Sequence, residues 1–236
     1  MSGVDLAGMV QAGDRRALAR LITLIESGDP IGETTLGSLV ETVGPVRRVG
    51  FTGPPGSGKS TLVDSVVAEL RSRGDTVGVL AVDPTSPITG GALLGDRIRM
   101  QGHAEDPGVY IRSMATRGHL GGLSIAAAPA ISAMARAAFD VVLVETVGVG
   151  QSELEVMDHV DVVVLVLAPG WGDQIQADKA GIIEIADVLV VNKGDRPGVD
   201  IVHRALLDRL GSSAATVLVT TATTGEGVPA LVDAIR

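Results

Sequence analysis

The chain has no cysteine among its 236 residues. No disulfide can staple it and no thiolate can hold a metal. Aromatic residues make up only 2% of it, with one Trp, one Tyr and two Phe. Its core must therefore be Val, Leu, Ile and Ala, as expected for strands buried on both faces. Dense Lys/Arg runs are missing too, and 19 basic residues against 28 acidic ones leave a formal charge of −9. That balance argues against nucleic acid or an anionic membrane as the main partner. No uninterrupted apolar stretch reaches the roughly 18 residues of a membrane span. The start, Met1 to Asp14, carries acidic residues and no long apolar run, so no secretory leader is expected. A soluble cytoplasmic protein is the simplest expectation.

What is present is more specific. Gly53-Pro54-Pro55-Gly56-Ser57-Gly58-Lys59-Ser60 fits G-x-x-x-x-G-K-[ST], the phosphate-binding loop of nucleoside triphosphatases. Arg48 to Thr52 reads as a strand before it, and Leu62, Val66 and Leu70 recur at helical spacing after it. Strand, glycine loop and helix are the setting the motif needs. Glycines let successive N–H groups turn inward as an anion nest, and the helix adds its free N–H groups and positive dipole end. Lys59 can reach the β- and γ-phosphates, Ser60 can ligate Mg²⁺, and Thr61 follows at the helix start.

Residues 4–43 read as helical, with a break at Gly28-Asp29-Pro30 and a further short helix through Leu36, Leu39, Val40 and Val43. Residues 1–44 are thus expected to form a helical N-terminal appendage, and 45–236 the main domain. There, strand patterns at 47–52, 76–82, 109–112, 140–145, 161–167, 187–192 and 216–220 alternate with helical ones at 60–73, 122–138, 173–186, 199–210 and 228–236. The alternation predicts an α/β fold, a mainly parallel sheet flanked by helices, with ligands beyond the carboxyl ends of its strands.

The other chemistry-bearing residues fall at such ends. Asp83 follows Val77 to Val82 and opens Asp83-Pro84-Thr85-Ser86-Pro87. It is placed as a ligand of Mg²⁺ or its bound water, with a turn-starting Asp before Pro as the alternative. Glu145 ends Val141 to Val144 and begins Glu145-Thr146-Val147-Gly148-Val149-Gly150-Gln151-Ser152-Glu153. This resembles a second metal-side motif whose Gly148 N–H can meet a γ-phosphate, against the alternative of a plain glycine-rich loop. Asn192-Lys193-Gly194-Asp195 after Val188 to Val191 is an N-K-x-D guanine-reading motif. An ionised Asp195 can only accept hydrogen bonds, which suits guanine N1–H and N2–H₂ and not adenine. The Lys193 stem can lie along the base plane. Thr221-Ala222-Thr223 is placed for a last backbone contact to the base. Arg112 and Arg117 either face phosphate or form structural salt bridges. Gln151 is a candidate for orienting water, and His103, His159 and His203 read as unremarkable.

Asp83-Pro84-Thr85-Ser86, the run Gly90 to Met100, Arg112-Ser113-Met114 and Glu145 to Glu153 together resemble the MeaB-type GTPases, methylmalonyl-CoA mutase-associated G-protein chaperones that include the ArgK proteins. The similarity is dense over residues 45–196. It implies a P-loop G domain of SIMIBI type and a Mg²⁺-dependent hydrolase turning GTP into GDP. It also implies service to an adenosylcobalamin-dependent acyl-CoA mutase, in gating cofactor delivery and protecting or reactivating the mutase, with the mutase's adenosyltransferase as a further partner. The catalytic residues so implied are Lys59, Asp83, Asp96 and Glu145, and the metal set is Ser60, Asp83, Asp96 and Glu145. Residues 84–100 and 146–153 correspond to the first two switches, and the stretch after Pro169-Gly170-Trp171-Gly172-Asp173 to about Lys179 to a third. Members of the family continue into a C-terminal extension that builds a dimer, so this chain is expected to be a monomer or a dimer through another surface. Competing readings are a nickel-insertion GTPase, which needs a Cys/His site, a nucleotide-dependent scaffold, and a small-substrate or protein kinase.

Overall fold

A computed structural model describes residues 3–40, 46–83, 101–103, 105–115, 126–146, 155, 157–170, 180–211 and 214–236. Three helices come first: α1 (Gly3–Gln11), α2 (Arg15–Ser27) and α3 (Pro30–Ser38). Two aspartates start the second and third. Asp14 accepts from the N–H groups of Arg16 and Ala17, and Asp29 from that of Ile31, with Pro30 in the first turn. The third helix therefore begins at Pro30, earlier than the apolar spacing predicted. It stops at Ser38, leaving Leu39 as its cap and Val40 exposed, while Val43 lies outside the described residues.

Seven strands follow, β1 (Arg47–Thr52), β2 (Val77–Asp83), β3 (Val109–Ala115), β4 (Val141–Thr146), β5 (Val162–Leu167), β6 (Val188–Val191) and β7 (Thr216–Val219). They pair in the order β3-β2-β4-β1-β5-β6-β7, every pair parallel. The helices between them are α4 (Lys59–Ser72), α5 (Ala127–Ala135), α6 (Ala180–Glu184), α7 (Val199–Leu210) and α8 (Val228–Ile235). The chain fills the β4 side of β1 first and the β5 side afterwards. The loop after β1 thus leaves where the strand order reverses, the usual ligand crevice of such sheets.

Period-two burial sorts the strand residues onto two faces. Val49, Phe51, Val79, Leu143 and Val164 lie in one cluster with Leu62, Val66 and Leu70 of α4 and Leu231 and Val232 of α8. Leu80, Val82, Val142, Val144 and Leu165 lie in the other with Leu18, Leu21 and Ile22 of α2 and Ile131 and Met134 of α5. Val-rich β4 and β5 are buried throughout, so their near-continuous apolar runs match helical cover on both sides. Among the described residues no helix is long and apolar enough to cross a membrane.

Candidate functional site

Parallel pairing brings the carboxyl ends of the strands to one rim. Gly53 turns the chain out of β1 at φ 145°, where a Cβ would stand 2.1 Å from the Val166 carbonyl oxygen. Gly58 precedes α4 at φ 91°, and a Cβ there would meet Asn192 Nδ2 at 2.5 Å. Both glycines of the phosphate-loop signature are thus required by close approach as well as by backbone angle. Lys59 opens α4 and is buried over the loop, where its Nζ donates to the carbonyls of Gly53 at 2.8 Å and Pro54 at 3.2 Å. A triphosphate offers the same ammonium stronger acceptors.

Ser60 Oγ donates to Glu145 Oε1 at 2.6 Å, and Glu145 is only 3% exposed. Phe51 of β1 is in register with Glu145, which sets this carboxylate directly beside the strand that feeds the loop. A hydroxyl and a carboxylate so placed are hard oxygen donors of the kind Mg²⁺ prefers. Among the described residues no three His, Cys, Asp or Glu form a metal cage by themselves. An ion here would draw its remaining oxygens from elsewhere, as Mg²⁺ does when it keeps waters and substrate phosphates. Asp83 ends β2 opposite Ala115, and its neighbour Val82 pairs with Thr146, so the Asp83 backbone reaches the rim that carries Glu145. Asp96 and Gly148 lie outside the described residues, as do Gln151, Arg117, residues 84–100, 147–154 and 171–179.

Beside the loop, Gly58, Thr61, Asn192, Lys193, Asp195, Arg196, Thr221, Ala222 and Thr223 line an open recess of about 110 Å³. Asp195 is exposed on it. Lys193 takes a left-handed conformation, φ 61°, and spans to the phosphate loop, its Nζ donating to the Gly56 carbonyl at 2.6 Å. The two predicted sites are therefore adjoining walls of one cleft.

Asn192, which lines the recess, is also bonded on both sides within the protein. It is buried, and its Nδ2 donates to the carbonyls of Ser57 at 3.0 Å and Gly58 at 3.4 Å. Its Oδ1 accepts from Thr220 Oγ1 at 3.1 Å and from the Ala222 N–H at 3.2 Å. The side chain thus bridges the phosphate loop to the Thr221–Thr223 loop. Gly194 N–H adds a second link, to the Thr220 carbonyl at 2.9 Å.

Of the two open readings of Arg112, the salt bridge holds: it pairs with Glu26 and Thr23 of α2, tying β3 to the N-terminal helices. His103 sits 3.3 Å from Asp64 of α4. Burial pushes the Asp64 carboxyl up, opposed by the His103 charge. Arg196 and Thr220 were missed from sequence. Arg196 adjoins Asp195 without belonging to the motif, and Thr220 reads simply as the end of a strand.

The family described as methylmalonyl Co-A mutase-associated GTPase MeaB matches residues 18–236. A Pyrococcus horikoshii protein named as a GTPase is 50% identical over 242 residues, 98% of this chain and 76% of its own. The GTPase ArgK of Escherichia coli is 42% identical over 190 residues, covering 79% of this chain and 57% of that one. The Caenorhabditis elegans methylmalonic aciduria type A homolog, mitochondrial, is 42% identical over 201 residues, covering 79% and 50%. The chain thus spans only half to three fifths of these last two relatives. Among solved structures, a LAO/AO transport system kinase superposes with a TM-score of 0.77 at 29% identity, over 99% of this chain and 73% of that one. HypB from Helicobacter pylori in complex with nickel shares the fold alone, with a TM-score of 0.57 at 14% identity over 90% and 92%. The P-loop G-domain fold is thus shared, and by its sequence the chain belongs to the methylmalonyl Co-A mutase-associated GTPase MeaB family.

Proposed function

We propose that this chain is a Mg²⁺-dependent GTPase that acts as a G-protein chaperone of an adenosylcobalamin-dependent acyl-CoA mutase. The observation that carries the reading is the adjoining of two walls, a phosphate loop with buried Lys59 and the Ser60–Glu145 pair, and a recess bearing Asp195. Residues 53–61 would cradle the phosphates, with Lys59 drawn from its carbonyl partners onto the β- and γ-oxygens. Asp195 would accept from guanine N1–H and N2–H₂, Lys193 would lie along the base, and Thr221–Thr223 would close its edge. Ser60 and Glu145, with Asp83 and Asp96, would hold Mg²⁺, and Gly148 would meet the γ-phosphate. Mg²⁺, when bound, neutralises charge developing on the transferring phosphoryl group. The mutase enters through the family's description, and an adenosyltransferase through the resemblance alone, rather than through a surface of this chain.

Release of inorganic phosphate from GTP and ATP, with and without a purified adenosylcobalamin-dependent mutase, tests the proposal. GTP should turn over slowly alone and faster with the mutase. Preference for ATP, or turnover no faster than uncatalysed, would reject it. The kinase named in the similar solved structure supplies the second reading. It predicts labelled γ-phosphate on an acceptor instead of in water, and the same assay separates the two. A nickel-insertion role finds no cysteine to work with.

A further inference from the structure

Ser65 lies on α4, five residues beyond Ser60 and outside the lining of the recess. Its Oγ donates to the Ala222 carbonyl at 2.7 Å and also lies 3.0 Å from the Thr61 carbonyl one turn back. The Ala222 N–H is held at the same time by Asn192 Oδ1 at 3.2 Å. Both backbone polar groups of Ala222, in the two peptide units that flank its Cα, are therefore held. Asn192 carries the grip to the phosphate loop, and Ser65 carries it to the helix whose first turn bears Lys59 and Ser60. A helical Ser that hydrogen-bonds only its own i−4 carbonyl gains little for the fold. The second acceptor, across 157 residues of chain, is what gives this hydroxyl a specific role.

We propose that Ser65 is a positioning residue for nucleobase selection, fixing the Ala222 peptide so that the Thr221–Thr223 backbone meets the base edge opposite Asp195. The proposal rests on the guanine-binding reading above and adds to it a residue that no motif includes. Ser65 does not itself line the recess; its one contact with the base-edge loop is through Ala222, while its bond to the Thr61 carbonyl stays within α4. Losing it should loosen the base-edge loop while leaving Lys59 and Ser60 in place.

The test compares wild type with Ser65→Ala, Ser65→Thr and Ser65→Cys for binding of GDP, ADP and inorganic tripolyphosphate, with thermal melting alongside. Ser65→Ala should weaken GDP about fivefold, the scale of one net hydrogen bond, and narrow the GDP-to-ADP ratio by a similar factor. Tripolyphosphate affinity should stay within about twofold of wild type, since it engages only the phosphate loop. Ser65→Thr keeps the hydroxyl and should restore the ratio. Ser65→Cys, close to Ser in size with a weaker donor, carries the same comparison if Ser65→Ala does not fold. An unchanged ratio in Ser65→Ala or Ser65→Cys, or an equal loss for GDP and tripolyphosphate, would overturn the assignment. Failure of wild type itself to prefer GDP over ADP would instead remove the guanine reading beneath it.

Discussion

Ser60 and Glu145, 85 residues apart in sequence, are joined by a 2.6 Å hydrogen bond between side chains that are both nearly sealed from water. Such a pair is held in place before any ligand arrives, so its effect should fall on the chemical step. Glu145→Gln keeps the shape and removes the charge. Single-turnover GTP hydrolysis should fall about 100-fold, with GDP affinity changed less than about fivefold. Equal losses in both would place Glu145 outside the metal side of the site.

Asn192→Ala removes both ends of a buried bridge and strands the Ser57 carbonyl and the Ala222 N–H. Leaving buried polar groups without partners should cost about 2–4 kcal/mol of folding free energy. Urea unfolding of the nucleotide-free protein measures this. A cost below about 1 kcal/mol would mean that water replaces the bridge readily.

Asp195→Asn exchanges an acceptor for a group that can also donate. GTP should bind about tenfold or more weakly, and xanthosine triphosphate should become the better ligand because its 2-oxo group accepts. Competition among GTP, XTP and ATP decides it, and retained GTP preference would remove Asp195 from the base.

Asp140 accepts from both the N–H and the hydroxyl of Thr76, each at 2.7 Å, binding the start of β4 to the start of β2. These bonds hold its carboxyl below the usual carboxylate range, against a smaller opposing effect of burial. The folded form thus binds the proton less readily than the unfolded form. The stabilisation is complete above the unfolded pKa of about 4 and drains away as pH falls through the lower folded value. Asp140→Asn should therefore be less stable than wild type at pH 7, and the gap should close on acidification toward pH 3. Urea midpoints across that range check the sign, and a gap that widens in acid would contradict it.

Strands were the most legible part of this chain. Val- and Leu-rich runs such as Val141 to Val144 carry β propensity and two-sided burial in the same residues, so the predicted and observed bounds differ by a residue or two, β3 excepted. That strand runs on to Ala115, past Arg112, whose backbone stays paired with Leu80 while its side chain turns to Glu26. The start of α3 was set by the Asp29 cap with Pro30, not by the apolar spacing through Leu36. At α5, a helical pattern read over 122–138 is observed over Ala127–Ala135, with 122–125 outside the described residues, and is closed by Arg136 and by Ala138 at φ 61°. Within the candidate site, the positions of Lys59, Ser60 and Asp195 were legible because their motifs fix both spacing and chemistry. The place of Asn192 was not, since a motif names a residue without saying whether its amide meets a ligand or the protein. Ser65 and Thr220 had no signal at all, their roles arising only from the folding of distant loops onto α4 and Asn192.

The cluster shared by α2, α5 and one face of the sheet bears on how the chain can be shortened. Leu18, Leu21 and Ile22 are covered by the same core that holds Leu80, Val82, Tyr110 and Met114. Cutting at residue 45, where the helical and strand-bearing portions divide by sequence pattern, would bare that aliphatic face to water. Exposed apolar surface of this extent drives self-association. A G domain expressed without its first three helices should therefore precipitate or demand detergent, and the smallest well-behaved fragment keeps α1 as well, since Leu6, Ala7 and Val10 share the same core.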